Sequence, residues 1–119
     1  MNDLKISDML RMQYELWEKY SDTWEPLEPK YGRDSLLYMI EEMGEAISII
    51  KKRGEDNVIS DVSLTKKFIE ELTNILMYFN DVLLKYGITS EEFSDIYLKK
   101  HEKNMKRNSQ IEHDNYFIN

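Results

Sequence analysis

Residues 64–86 read LTKKFIEELTNILMYFNDVLLKY, and this stretch decides the fold class. Its apolar side chains recur every three or four residues, which is the spacing of one face of an α-helix. The helix is predicted to end at Gly87, because glycine is favoured just past a helix C-terminus. Its apolar seam consists of Phe68, Leu72, Ile75, Phe79, Val82 and Tyr86.

Three further helices are predicted on either side of this one. The first covers about Ser7 to Tyr20, and the second runs from an N-cap at Asp34 to Gly54. Thr89 precedes the last helix, where a hydroxyl side chain can cap the first turn. The second helix has its own apolar seam, formed by Leu36, Ile40, Met43, Ile47 and Ile50.

The segments between the helices are predicted from their breakers. Pro26 and Pro29 lie so close together that residues 24–32 are expected to form a loop. Residues 54–63 are interpreted as a polar connector between the second and third helices. Two apolar residues of this connector are expected to turn inward, namely Val58 and Ile59.

No stretch of the chain alternates apolar and polar residues over the length of a strand, so the predicted class is all-α. We expect one four-helix bundle domain over residues 1–107 and a C-terminal tail over residues 108–119. The helical seams, with Met9, Trp17 and Tyr20, offer more apolar surface than one 119-residue bundle hides. The bundle is therefore expected to be completed by oligomerisation, as a dimer or a tetramer.

Composition narrows the range of functions. The chain has a formal net charge of -7 and no cysteine. A negative charge disfavours binding to a nucleic acid polymer, and the lack of cysteine excludes disulfides, thiolate metal sites and a cysteine nucleophile. The N-terminus does not resemble a signal peptide, and no apolar run is long enough to span a membrane. A cytoplasmic protein without a membrane partner is expected.

Two acidic clusters lie beside the seams of the second and third helices. One reads EEMGE at residues 41–45, and the other reads EELTN at residues 70–74. In each cluster, two oxygen-bearing side chains stand three residues apart and share a helix face. These pairs are Glu42 with Glu45, and Glu71 with Asn74. Three carboxylates and an amide oxygen are ligands that suit Mg²⁺.

The acidic clusters also have a simpler interpretation, because solvated helix faces often carry such residues. Gly44 argues against it, since glycine in mid-helix costs about 1 kcal/mol relative to alanine. A glycine there suggests close approach by another backbone or by a ligand. If the two helices pack through their seams, the acidic pairs meet at one edge of the interface, where a divalent cation would relieve their repulsion.

The two motifs, in this order, resemble the E-E-x-x-E … E-x-x-D pattern of all-α nucleoside triphosphate pyrophosphatases. That family includes MazG-like enzymes, dCTP pyrophosphatases and dimeric dUTPases. The resemblance spans about Leu10 to Arg107 and includes LWEKY at residues 16–20, the loop around Trp24, and ILMY at residues 75–78. It implies a hydrolase that requires Mg²⁺, with Mn²⁺ as a substitute, and converts a nucleoside triphosphate to the monophosphate and pyrophosphate.

The resemblance also implies roles for individual residues. Four residues stand at the metal-ligand positions: Glu42, Glu45, Glu71 and Asn74. Glu41 is an auxiliary acid that helps to orient water, so the catalytic set becomes Glu41, Glu42, Glu45 and Glu71. The resemblance implies that three residues near the end of the last helix bind phosphate, namely Lys100, Asn104 and Arg107. The base pocket contains Trp24 and Tyr78, although both rings also fit ordinary packing.

Asn74 departs from the family pattern, which has aspartate at this position. Its carbonyl oxygen is neutral, so weaker metal binding and slower turnover are expected. The sequence leaves open whether Asp81, two turns further along the same face, compensates. A nucleotide or metal binder that has lost catalysis is the second hypothesis, and a helical interaction module is the third. A di-iron bundle fits poorly, because neither His101 nor His113 follows a glutamate at the Glu-x-x-His spacing.

Overall fold

The computed structural model describes residues 2–107, and over these residues the regular structure is entirely helical. The elements are α1 (Ile6–Lys19), a short 3-10 helix (Pro29–Tyr31), α2 (Gly32–Arg53), α3 (Glu55–Ser60), α4 (Val62–Lys85) and α5 (Ser90–Lys106). The predicted all-α class is confirmed. Among the helices of this part of the chain, none combines the length and the apolar character needed to cross a membrane.

The chain divides into two compact units, one ending at Thr89 and one beginning at Ser90. Helices α1 to α4 belong to the first unit, and α5 is the described part of the second. The predicted tail, residues 108–119, lies outside the described residues. In the first unit α4 is the central element, because it packs against α1, α2 and α3. The most extensive of these contacts is with α2, and this pair of helices carries the candidate site.

Helix α2 begins earlier than the sequence predicts. Its N-cap is Tyr31, and Asp34 lies in the first helical turn, where a negative charge favours the helix N-terminus. The 3-10 helix, which begins at Pro29, runs directly into α2 without an intervening loop. Gly32 is required at this junction, because a Cβ atom there would overlap the ring of Tyr86.

The predicted connector, residues 54–63, contains a helix of its own, α3. Gly54 separates α3 from α2 with a φ of 83°, in the region that favours glycine. Asp61 then caps α4 by accepting hydrogen bonds from two backbone N–H groups of its first turn. Val58 is buried as predicted, whereas Ile59 is 79% exposed. The connector prediction was wrong because a helix of fewer than two turns shows no periodicity to detect.

The inward face of α2 is not its predicted apolar seam. Ser35 and Ala46 are buried instead, on a face about a quarter of a turn away around the helix. Of the predicted seam, only Ile50 is half-buried. The other four residues are between 41% and 61% exposed, namely Leu36, Ile40, Met43 and Ile47. These four residues form an exposed apolar row, here called the α2 stripe.

The apolar core of a single chain is small. Over residues 2–107, the buried apolar side chains are Leu10, Ala46, Val58, Leu64 and Leu83. The predicted seam of α4 is mostly half-buried, with Leu72 and Tyr86 exposed. Gly44 has open space beside it, because a Cβ atom there would meet no atom of the described residues within 4 Å. The close approach expected at Gly44 is therefore not made by any residue in this part of the chain.

Candidate metal centre and ligand cavity

Three glutamates converge where α2 packs against α4. Glu42 and Glu45 lie one turn apart on α2, and Glu71 lies opposite them on α4. One carboxylate oxygen from each residue lies within 4.8 Å of the other two. Glu42 and Glu71 are half-buried, whereas Glu45 is exposed. The structure therefore brings together three of the four predicted metal ligands, which are called the acidic cluster below.

Glu71 lies in electrostatic conflict with the other carboxylates of the acidic cluster. Its pKa is raised, first by a hydrogen bond with Glu42, then by burial and by the negative charge of Glu45. Its Oε2 atom is buried and has no hydrogen-bond partner among the described residues. A buried oxygen without a partner is costly and calls for a ligand, a water molecule or an ion. A donor set made of carboxylate oxygens suits a hard divalent cation such as Mg²⁺ or Mn²⁺.

Asn74 lies one turn beyond Glu71 on α4 and contacts the acidic cluster as a hydrogen-bond donor. Its Nδ2 atom donates to Oε2 of Glu42 at 3.3 Å. The amide thus stabilises a neighbouring carboxylate, and its carbonyl oxygen is the atom that would ligate a cation. Glu41 is exposed and lies outside the group of oxygens within 4.8 Å of one another. The structure therefore places Asn74, but not Glu41, in direct contact with the cluster.

A cavity of about 520 Å³ adjoins the acidic cluster, and Glu42 and Asn74 form part of its wall. Its volume falls within the range of small-molecule sites. Both predicted base-pocket residues, Trp24 and Tyr78, line this cavity. The remaining wall comes from α1, from α2 and α4, and from the loop between α1 and the 3-10 helix.

Aromatic rings form much of this wall. The ring centroids of Tyr38 and Tyr78 lie 5.4 Å apart across the α2–α4 interface. Trp24 stacks on Tyr20 at a centroid distance of 5.0 Å. The indole Nε1 of Trp17 donates to the backbone carbonyl of the residue after Trp24 at 2.8 Å. This bond ties the loop to α1 and so holds Trp24 at the cavity.

A buried ammonium group, unexpected from the sequence, lies at the cavity wall. Lys85 is 4% exposed, and its Nζ atom donates to Ser35 Oγ at 2.8 Å and to the carbonyl of Tyr31 at 3.2 Å. It also pairs with Asp81 at 3.1 Å and with Glu25 at 3.3 Å. The Oγ atom of Ser35 in turn donates to Oδ2 of Asp81 at 2.6 Å. These residues are called the lysine network below.

The lysine network has little local signature in the sequence. Ser35 stands 46 positions from Asp81, and Glu25 stands 60 positions from Lys85. The one local signal is the pair of opposite charges at Asp81 and Lys85, four residues apart on an otherwise apolar helix. Asp81 therefore pairs with Lys85, and it does not join the acidic cluster.

Two more groups at the cavity wall have raised pKa values. The pKa of Glu25 is raised, first by a hydrogen bond with Asp34 and then by burial, while Lys85 opposes the shift. The pKa of Tyr78 is raised, first by burial and then by the negative charge of Glu42. Tyr78 consequently keeps its phenolic proton at neutral pH and can donate a hydrogen bond.

The predicted phosphate-binding residues belong to the second compact unit. Lys100 and Asn104 lie on α5, and Arg107 directly follows its last residue. All three side chains are exposed. Their role in binding phosphate stays a prediction.

No protein-family model, curated protein or solved structure matches the chain. The features that point to a function are therefore the acidic cluster, the adjoining cavity and the resemblance carried by the two acidic motifs.

Proposed function

We propose that the protein is a Mg²⁺-dependent nucleotide pyrophosphohydrolase of the all-α type, which converts a nucleoside triphosphate to the monophosphate and pyrophosphate. One observation carries the proposal: the acidic cluster has carboxylate oxygens within 4.8 Å of one another, and a buried oxygen of Glu71 has no hydrogen-bond partner among residues 2–107. The aromatic cavity beside the cluster supports it, because a planar base can stack there. The order of the two acidic motifs supports the same reaction.

The residues of the cluster fit a divalent cation. Glu42, Glu45 and Glu71 would hold it, with the carbonyl oxygen of Asn74 as a fourth, neutral ligand. When bound, the cation supplies positive charge that neutralises phosphate oxygens during hydrolysis. Glu41, exposed beside the cluster, can accept the proton of an attacking water molecule. No covalent nucleophile is needed, which suits a chain without cysteine.

The products of a nucleotide panel test this proposal. The protein is incubated with each common nucleoside triphosphate in the presence of Mg²⁺, and the products are separated by ion-exchange chromatography. We expect the monophosphate and pyrophosphate in equal amounts from at least one nucleotide, and no reaction with excess chelator. Release of a diphosphate and orthophosphate would contradict the proposal.

Replacing Asn74 by aspartate is expected to improve the site. Asn74→Asp adds a charged ligand, so we expect Mg²⁺ affinity to rise about tenfold, or about 1.4 kcal/mol, with faster turnover. Without metal, the same change removes the hydrogen bond to Glu42 and adds a fourth like charge, so the free protein becomes no more stable. Calorimetric Mg²⁺ titration, melting curves with and without Mg²⁺, and pyrophosphate release measure these effects.

A nucleotide or metal binder without catalysis is the second candidate. The hydrogen bond that Asn74 donates to Glu42 favours it, because the amide occupies the place of a charged ligand. A protein of this kind binds Mg²⁺ and nucleotide in calorimetry but releases no pyrophosphate, even as Asn74→Asp. If Asn74→Asp changes neither metal affinity nor rate, residue 74 is not a ligand.

We also propose that copies of the chain associate through the α2 stripe. A row of four apolar side chains, each at least 41% exposed, usually marks an interface, and the buried core of one chain is small. Open space at Gly44, on the flank of the stripe, leaves room for another helix. The assembly is expected to be a dimer or a tetramer.

Light scattering at micromolar concentration tests the association. We expect the wild-type chain to be at least dimeric, and Ile40→Glu to be monomeric, because a charge in the centre of the stripe opposes its burial. Ile59→Glu is the matched control, since Ile59 is also exposed but lies on α3, outside the stripe. A monomeric wild-type protein would refute the proposed assembly.

A further inference from the structure

The inward stripe of α4 connects the acidic cluster with the lysine network. Asn74, Tyr78, Asp81 and Lys85 follow one another at intervals of four, three and four residues, and all of them line the cavity. Asn74 and Asp81 are seven positions apart, which is about 10 Å along the helix axis. A ligand with its phosphates at the acidic cluster therefore extends its other end past Tyr78 towards Asp81.

The lysine network presents an acceptor to this end of the cavity. Lys85 has three N–H donors but four oxygen neighbours, in Glu25, Tyr31, Ser35 and Asp81, so no donor is left for a ligand. The hydroxyl hydrogen of Ser35 is used by Asp81. Within residues 2–107, the hydrogen bond from Ser35 and the ion pair with Lys85 both use Oδ2 of Asp81, so its second oxygen retains its capacity to accept a hydrogen bond.

An acceptor at this end of the cavity prefers a ligand that donates a hydrogen bond, and the other polar groups on the wall do not counteract that preference. The N–H of Trp17 is used by a backbone carbonyl, and the hydroxyl of Thr23 donates to the carbonyl of Tyr20. Gln13 is 8% exposed and lines the cavity, but an amide both donates and accepts, so it does not discriminate between bases. The hydroxyls of Tyr38 and Tyr78 also both donate and accept, so the preference for a donor at this end of the cavity comes from Asp81 and the neighbouring carboxylate of Glu25.

We propose that Asp81, held in place by Ser35 and Lys85, selects nucleotides whose base carries an exocyclic amine. This inference rests on the proposed function. Cytosine, adenine and guanine each offer an exocyclic amine to a carboxylate, whereas uracil and thymine have no exocyclic amine and present carbonyl oxygens, which a carboxylate repels. The single N–H of uracil and thymine stands between two carbonyl oxygens. A half-buried acceptor at Asp81 thus favours nucleotides of the three amine-bearing bases over uracil or thymine nucleotides.

The test compares dCTP with dUTP, which share a sugar and differ at the base edge in an amine and a carbonyl. We expect wild-type protein with Mg²⁺ to have at least about a tenfold higher kcat/KM for dCTP than for dUTP. In Asp81→Asn, the amide supplies a donor, so the dCTP-to-dUTP ratio is expected to fall by at least about tenfold. Asp56→Asn makes the same change at an exposed position on α3, and its ratio should equal that of the wild type.

Calorimetric binding of dCMP and dUMP gives a second readout that does not depend on turnover. Tighter binding of dCMP, lost in Asp81→Asn, supports the inference even if neither triphosphate is hydrolysed, and the missing hydrolysis then refutes only the proposed activity. Hydrolysis with equal or better use of dUTP by the wild type refutes the inference and leaves the proposed activity standing. That comparison needs no variant, so the inference can be refuted even if Asp81→Asn does not fold.

Discussion

Glu71→Gln is expected to lower Mg²⁺-dependent hydrolysis by at least about 100-fold, which corresponds to about 2.7 kcal/mol of transition-state stabilisation. Glu71 supplies the buried oxygen that has no partner among the described residues, so its charge matters most to a cation held in the acidic cluster. Steady-state rates over a range of Mg²⁺ concentrations measure the effect. Glu70→Gln is the matched control, because Glu70 is an exposed neighbour outside the cluster and should keep its rate within about twofold.

The stability of Glu71→Gln separates loss of chemistry from loss of fold. The folded-state pKa of Glu71 is raised by Glu42, burial and Glu45, so its contribution to stability is present at low pH and is lost as pH rises through that pKa. Above that pKa, the charged carboxylate therefore opposes folding when no metal is bound. We expect metal-free Glu71→Gln to melt at the same or a higher temperature than the wild type. Near-normal turnover at limiting Mg²⁺ would show that Glu71 is not a ligand.

Lys85→Met is expected to destabilise the protein by about 3 to 5 kcal/mol. Methionine keeps the apolar stem but removes the ammonium, which leaves Asp81 and Glu25 without their cation and the Tyr31 carbonyl without a donor. Urea unfolding at one fixed protein concentration measures the change in the free energy of unfolding. Lys85 also contacts the side chain of Glu25 and the backbone carbonyl of Tyr31, which both lie after Trp24 in the chain. The loop that carries Trp24 should therefore become more mobile in this variant.

Lys99→Met is the control for this prediction. Lys99 pairs with Asp95 at 2.8 Å with the same four-residue spacing, but the lysine side chain is 68% exposed, against 4% for Lys85. An exposed pair of this kind contributes less than about 1 kcal/mol. If the two variants lose equal stability, burial of the lysine network is not what makes Lys85 important.

The sequence predicted the features that depend on local spacing. Apolar residues every three or four positions predicted α4 and its end near Gly87, and the all-α class followed. Glu42, Glu45 and Glu71 were predicted to meet because one-turn spacing places oxygens on a single helix face, and the structure brings these three together. Their convergence does not by itself make them metal ligands, and the Mg²⁺ titrations described above test that role.

The errors on α2 have a different cause. Periodicity identifies the most apolar face of a helix, but it does not say whether that face packs within the chain or against another copy. In α2, the face towards α4 carries Ser35, Glu42 and Ala46, which are polar or small. Glu42 lines the cavity, and Ser35 belongs to the lysine network. The apolar α2 stripe remains exposed in a single chain. The apolar periodicity of the sequence therefore does not show which face of α2 packs against α4.

The lysine network could not be predicted because its contacts join distant parts of the chain. Ser35 and Glu25 lie far from Lys85 in sequence, and a serine at the start of a helix is ordinary. Only the packing of α2 and the preceding loop against α4 brings these groups to one buried ammonium. Trp24 and Tyr78, by contrast, were suggested by resemblance, and both line the cavity.

Phosphorus-31 NMR of a running reaction tests the central claim most directly, namely that the acidic cluster supports Mg²⁺-dependent cleavage between the α- and β-phosphates. We expect the wild-type protein with Mg²⁺ to convert a nucleoside triphosphate into monophosphate and pyrophosphate signals of matching intensity. Chelation of the metal, or Glu71→Gln, should leave the three triphosphate signals unchanged. Appearance of a diphosphate with orthophosphate, or conversion that persists in Glu71→Gln, would contradict the account.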